Sequence, residues 1–205
     1  MTVWAVVPVK PLRRSKSRLS HALGVEERQA LSKSLLTHTL DCLAQAEAVD
    51  RIAVVSGDPA VRAMACNWET VFVEDPPQGG LNQALNHARQ AALRGGAAQV
   101  LVLPADLPRL TPEAINQLTG LVDGPPCVVI APDRHGSGTN ALLLAPPALI
   151  EYAFGPLSFF RHLQLAEAAG VQPRVCQLPA LALDLDLPED LRLLSEPAPL
   201  AGTEA

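Results

Sequence analysis

The sequence predicts an α/β fold: a single three-layer αβα sandwich built on a mostly parallel sheet. Three observations predict it. Short runs of β-branched or alternating apolar residues recur along the 205 residues, and segments of helical periodicity separate most of them. Several runs, such as Val100 to Leu103, are continuously apolar, as strands covered on both faces are. Hydrophobic residues make up 48% of the chain and aromatic ones only 3%, so Leu, Val and Ala must do the packing. That suits helix-on-sheet layers better than an aromatic-rich β-sandwich.

Strands are expected at Val3–Val9, Arg51–Ser56, Thr70–Glu74, Gln99–Pro104, Cys127–Ala131, Ala141–Leu144 and Arg174–Leu178. A helix over Glu26–Ala46 follows from one apolar face made by Leu31, Leu35, Leu36, Leu40 and Leu43. Leu81–Leu93 opens after the turn "PPQGG" and is rich in Ala, a strong helix former. Thr111–Val122 carries a start signal: Thr111 can cap, Pro112 suits the first helical position, and Glu113 lies in the first turn. Ser158–Ala169 starts after "FGPL" and stops at Gly170. Arg51–Ser56 and Thr70–Glu74 are joined by a short connection. In this order, strand C-ends and helix N-termini gather along one edge, where open α/β sheets bind ligands. Residues 1–195 read as one domain and residues 196–205, with their Pro and small residues, as a flexible tail.

Charge and composition narrow the partners. With a net charge of -5, the chain has no basic stripe to track nucleic acid by counterion release. No apolar run approaches the ~18 residues of a membrane span. The opening "MTVWAVVPVK" reads as a strand, because it lacks a leading positive region and a small-residue cleavage site. Cys42, Cys66, Cys127 and Cys176 lack CxxC spacing and sit in apolar surroundings. They are expected to be reduced core residues in a cytoplasmic protein. A homodimer is compatible with this composition, but nothing in the sequence locates an interface.

Three stretches bear chemistry. In "VPVKPLRRSKSRLS", Lys10, Arg13, Arg14, Lys16 and Arg18 follow the first strand closely, without the glycines of a Walker loop. They read either as a phosphate cradle of side-chain cations or as a solvated basic loop. The second stretch is "LVLPADLPRLT" taken with "LALDLDLPEDL". Asp106 closes a strand, and Asp184 and Asp186, two apart in an extended Leu181–Leu187, share one face. Such carboxylates suit Mg²⁺, which takes oxygen ligands and leaves places for phosphates. Alternatively, Asp106 merely ends a strand and Asp186 precedes the helix opened by Pro188. The third is "APDRHGSGTNALLL" with "FGPLSFF". Gly136, Gly138, Thr139, Asn140 and the helix start at Ser158 form either an anion corner or a hairpin turn plus a Ser cap. His135 lies beside the glycine turn, within reach of a ligand there; His38 and His87, on helices, read as structural or surface residues.

Taken together and in order over residues 3 to 194, these motifs and "FGPLSFFRHL" resemble the 2-phospholactate/phosphoenolpyruvate guanylyltransferase family. That family lies within nucleotidyltransferases having a Rossmann-like, glycosyltransferase-A-like sheet of the nucleotide-diphospho-sugar transferase type. The resemblance implies transfer of guanylate from GTP to phosphoenolpyruvate or 2-phospho-L-lactate in making coenzyme F420. It further implies that Lys10, Lys16, Ser17 and Arg18 hold the GTP phosphates, and that Gly80, Leu81 and Asn82 lie near guanine and ribose. Asp106, Asp184 and Asp186 would hold Mg²⁺, and Thr139, Gly155 and Ser158 would bind phosphoenolpyruvate; Lys10, Lys16, Arg18 and Asp106 would be catalytic. The family's late motif often reads Asp-x-Asp-Thr-Pro, whereas Leu187 stands here in place of the Thr, so which Asp binds metal stays open.

The chemistry agrees with the resemblance. The acceptor's phosphate oxygen is already an anionic nucleophile, so no general base is needed. The obstacle is repulsion between two polyanions, which crowded cations relieve. Competing readings are transfer to 3-phospho-D-glycerate, another nucleotidyltransferase or glycosyltransferase of the same fold, and a nucleotide-binding regulatory subunit without turnover.

Overall fold

The computed structural model describes residues 1–75 and 79–194. The expected turn at "PPQGG" lies partly outside these residues, and the expected tail lies wholly outside them. Among the described residues, seven strands form one sheet: β1 (Val3–Pro8), β2 (Arg51–Ser56), β3 (Thr70–Glu74), β4 (Gln99–Val102), β5 (Cys127–Pro132), β6 (Thr139–Ala145) and β7 (Arg174–Val175). Their order is β3-β2-β1-β4-β6-β5-β7. All run in one direction except β6, which opposes both β4 and β5. The helices are α1 (Val25–Gln45), α2 (Pro59–Ala65), α3 (Gly80–Arg94), α4 (Pro112–Gly120), α5 (Ser158–Ala168), α6 (Pro179–Ala182) and α7 (Pro188–Leu193).

Period-two alternation splits each central strand between two cores. Ala5, Val7, Leu101 and Leu103 face Leu36, Leu40 and Leu43 of α1 and Ile115 and Leu118 of α4. Trp4, Val6, Val100 and Val102 face Ala84, Leu85, Ala88 and Ala92 of α3 and Ala166 of α5. This is the expected three-layer arrangement. The Thr111 cap is present, with Oγ1 accepting from the Ala114 amide at 3.2 Å.

Several expectations change. The connection between β2 and β3 contains α2, which begins at Pro59 and is capped by Asp58 Oδ1 on the Ala60 amide. Its seven residues are too few to show an apolar period in sequence. Arg174–Leu178 shortens to a two-residue strand. Leu181–Leu187 is not extended throughout, since Leu181 and Ala182 end α6. The alternation of buried Leu183 and Leu185 with partly exposed Asp184 and Asp186 nevertheless holds. Cys42, Cys127 and Cys176 are buried and Cys66 is exposed, so the expectation of four core cysteines fails at Cys66; all four are free.

A third, small cluster sits under the sheet's C-terminal edge. Leu19 from the basic loop, Leu35 from α1 and Leu185 from the acidic stretch are buried together, with Leu23, Leu31 and Leu191 packed around them. Thus segments far apart in sequence are pinned to one place by apolar contact. Asn140 reinforces the joint, its amide donating to the Leu181 and Ala182 carbonyls at 2.9 and 3.1 Å. The Asn140 amide nitrogen is thereby engaged by backbone.

Leu185→Ala is expected to lower unfolding stability by about 2–5 kcal/mol, measured by urea denaturation, since the cavity lies among residues with little freedom to collapse.

Candidate active site

The basic loop follows β1 directly, and local bonds hold its backbone. The Leu12 amide donates to Asp58 Oδ2 at 2.8 Å. Ser15 Oγ lies 2.7 Å from both the Leu12 carbonyl and Ser32 Oγ on α1. Two one-turn 3-10 helices, Leu12–Arg14 and Ser17–Leu19, flank Lys16, which adopts the left-handed conformation at φ 52°. A non-glycine residue at positive φ is costly and persists only where its surroundings hold it. The loop backbone is therefore held at Lys16, while Lys10, Arg13, Arg14 and Arg18 remain exposed.

Lys16 meets the acids. Its Nζ lies 2.8 Å from Asp106 Oδ2 and 3.2 Å from Asp186 Oδ1. Its side chain is 7% exposed, against 26% for Asp106 and 41% for Asp186, so the ammonium is the buried member. Burial alone would lower the Lys16 pKa; the two carboxylates outweigh it and raise the value above the ordinary one. Arg18 reaches Asp186 Oδ2 at 3.5 Å from an exposed position. The Leu185 amide donates to the Asp106 carbonyl at 3.1 Å, stitching the acidic stretch to the turn after β4. The Asp186 and Leu187 amides both donate to Asp190 Oδ2, at 2.9 and 2.5 Å, and Asp190 is held in turn by Arg134 at 2.6 Å.

Burial, with Asp106, Asp186 and Asp133 nearby, pushes Asp184 up to about 6. Asp106 Oδ1 is buried without a hydrogen-bond partner. Crowded carboxylates and an orphaned oxygen suit a hard, oxygen-seeking cation. Among the described residues no three His, Cys, Asp or Glu side chains already converge on one point. The Lys16 ammonium stands between two of the expected ligands.

A cavity of about 330 Å³ opens beside this cluster, lined in part by Lys10, Lys16, Gly80, Leu81, Asp106 and Asp186. Val9, Val55 and Ala84 supply apolar wall. Ser17, Arg18 and Asn82 are not on its lining. Arg13 and Arg14, expected at the binding edge, are exposed and likewise absent from it. Asn82 instead bonds the Phe154 backbone both ways, donating to its carbonyl at 3.1 Å and accepting from its amide at 2.9 Å.

Thr139, Gly155 and Ser158 form a second group, also outside the cavity lining. Gly155 takes φ +123°, a conformation for which a side chain is unsuited. The Ser158 amide donates to the Gly155 carbonyl, and the Phe159 amide to Ser137 in the β5–β6 turn. Ser158 is the first residue of α5 and not its cap, which is Leu157. Thr139 Oγ1 lies 3.0 Å from His162 Nδ1, and His162 Nε2 accepts from the Ala153 amide at 3.0 Å. Burial, aided by Arg161, holds the His162 pKa down at about 4. The sequence reading passed over His162, although its spacing of four from Ser158 places both on one helix face. His135, expected near a ligand, is exposed.

A doubly covered sheet with cations and carboxylates at its C-terminal edge is an α/β scaffold of the kind that binds ligands at that edge. Solved structures with this architecture include a nucleotidyl transferase from Methanothermobacter, with a TM-score of 0.68 and 18% identity over 94% of this chain and 95% of that one. Another is glucosyl-3-phosphoglycerate synthase from Mycobacterium tuberculosis in complex with Mn²⁺ and uridine diphosphate, at 0.62 and 14%, covering 95% and 75%. At those identities the likeness concerns the fold. The sequence comparison is more specific. The family model "Guanylyl transferase CofC like" matches residues 3–195, and the chain belongs to that family. A phosphoenolpyruvate guanylyltransferase from Rubrobacter xylanophilus is 46% identical across 95% of this chain and 94% of its own.

Lys16→Met is expected to destabilise the protein by about 2 kcal/mol, less than the about 3–5 kcal/mol of a fully buried broken pair, because Asp186 is partly hydrated. Denaturant titration checks this. A second expectation concerns acid. The unfolded chain protonates His162 near 6.5, whereas the folded one does so near 4, so stability falls as pH drops through that window. The contribution lost is about 3 kcal/mol, read as the extra stability that wild type loses relative to His162→Asn between pH 7 and pH 4.

Proposed function

We propose that this protein joins GTP to phosphoenolpyruvate, releasing diphosphate and forming enolpyruvoyl-2-diphospho-5′-guanosine for coenzyme F420. The observation that carries the reading is the meeting of Lys16 with Asp106 and Asp186 on the wall of a cavity that also presents Lys10. Family membership and the name of the Rubrobacter relative support the choice of nucleotide and acceptor. The four free cysteines fit a reducing cytoplasm.

In this reading a phosphate oxygen of phosphoenolpyruvate attacks the α-phosphorus of GTP. A new P–O bond to the α-phosphorus forms, the bond from that phosphorus to the oxygen bridging it to the β-phosphorus breaks, and diphosphate leaves with that oxygen and the electron pair. The nucleophile carries no proton, so the site needs no base. Lys10 and Lys16 bring positive charge to the nucleotide phosphates, Lys16 from a strained backbone that fixes its direction. Arg18 steadies Asp186 from outside. Asp106, with Asp184 or Asp186, would hold Mg²⁺, which when bound offsets phosphate charge as a Lewis acid. Gly80 and Leu81 line the cavity toward the nucleoside, and Asn82 braces the Phe154 backbone from the same helix start. Thr139, Gly155 and Ser158 hold the acceptor acid.

Diphosphate release on mixing GTP, Mg²⁺ and phosphoenolpyruvate tests the reaction, and absence of release would refute it. Faster release with 2-phospho-L-lactate or 3-phospho-D-glycerate would overturn the acceptor assignment. Asp106→Ala should cut turnover about a thousandfold, as loss of a transition-state charge contact does; wild-type turnover at saturating Mg²⁺ contradicts its role. Thr139→Ala or Ser158→Ala should raise the KM for phosphoenolpyruvate by about tenfold and leave that for GTP unchanged. Equal effects on both would undo the division of the site.

A further inference from the structure

We propose that His162 is a positioning residue which makes the Thr139 hydroxyl a fixed hydrogen-bond donor toward the acceptor's anionic group. The inference rests on reading Thr139 as an acceptor contact. A backbone amide can only donate, so His162 Nε2, 3.0 Å from the Ala153 nitrogen, must accept. A neutral imidazole carries one N–H, which is therefore on Nδ1, 3.0 Å from Thr139 Oγ1. Thr139 Oγ1 then accepts, and its own proton is left to donate. Among the described residues no protein acceptor takes that proton. The relay runs from amide to imidazole to hydroxyl and ends on a donor, which is what an anion requires.

The surroundings keep the ring in this state. His162 is fully buried, and burial disfavours its charged form. The Phe154 ring meets the imidazole edge-on, with centroids 4.9 Å apart at 69°. Asn82 fixes the Phe154 backbone from α3. The imidazole thus has one tautomer and one orientation, set by groups from α3, β6 and the loop before α5.

Two substitutions separate the ring nitrogens, since an Asn amide overlays Nδ1 and a Gln amide overlays Nε2. His162→Gln keeps the Ala153 partner and loses the Thr139 one. Its KM for phosphoenolpyruvate should rise about tenfold with the GTP KM unchanged. His162→Asn should restore most of that loss, to within about threefold of wild type. Adding Thr139→Val to His162→Gln should cause no further rise, because both remove one contact. Equal acceptor defects in the Gln and Asn variants, or a matching rise in GTP KM, would reduce His162 to a structural residue. Nitrogen-15 NMR of the wild-type imidazole gives a reading independent of turnover and of variant folding: an Nδ1–H tautomer supports the relay and an Nε2–H tautomer overturns it. Wild type inert toward phosphoenolpyruvate refutes the underlying functional reading, and the inference with it. An active wild type with a normal Gln variant refutes the inference alone.

Discussion

The buried ammonium of Lys16 between Asp106 and Asp186 is the interaction on which the site depends. Three segments that begin 10, 104 and 181 residues into the chain have no local reason to meet. Like charges on Asp106, Asp184 and Asp186 would push the acidic stretch away from the turn after β4, and the ammonium reverses that force. Leu19, Leu35 and Leu185 seal the junction from beneath. Charge sets the orientation of this junction, and apolar burial supplies most of its cohesion.

The sheet makes the junction possible. Parallel β1 and β4 are neighbours, so the basic loop after one and Asp106 after the other emerge side by side at the same edge. Reversing β6 brings Thr139, at its start, to that edge as well. The β5–β6 hairpin then supplies Arg134 to Asp190 and Asn140 to the α6 carbonyls, so that the acidic stretch is braced on both sides. Each half of the site leans on backbone contributed by the other, and Asn82 performs the same service between α3 and Phe154.

Much of this was legible in the residues. The strands are short apolar runs bounded by turns, and Thr111-Pro112-Glu113 announces its helix without tertiary help. The alternation from Leu183 to Asp186 shows that two carboxylates share a face. The positions of Lys16 and Asp106, each shortly after a strand, were visible in the residues, but their pairing was not. By contrast, α2 was too short for a periodic signal, and the exposure of Cys66 has no local mark.

The sequence by itself determined the layers, the approximate elements and the residue types available for phosphate and cation chemistry, because those depend on periodicity and on side-chain identity. Only the tertiary structure decided partnership: that Lys16 faces Asp106, that Asn140 and Asn82 serve backbone, and that His162 stands behind Thr139. A hydrogen bond or ion pair exists between atoms brought within about 3 Å. Separation along a chain carries no information about that distance until the sheet order has been chosen.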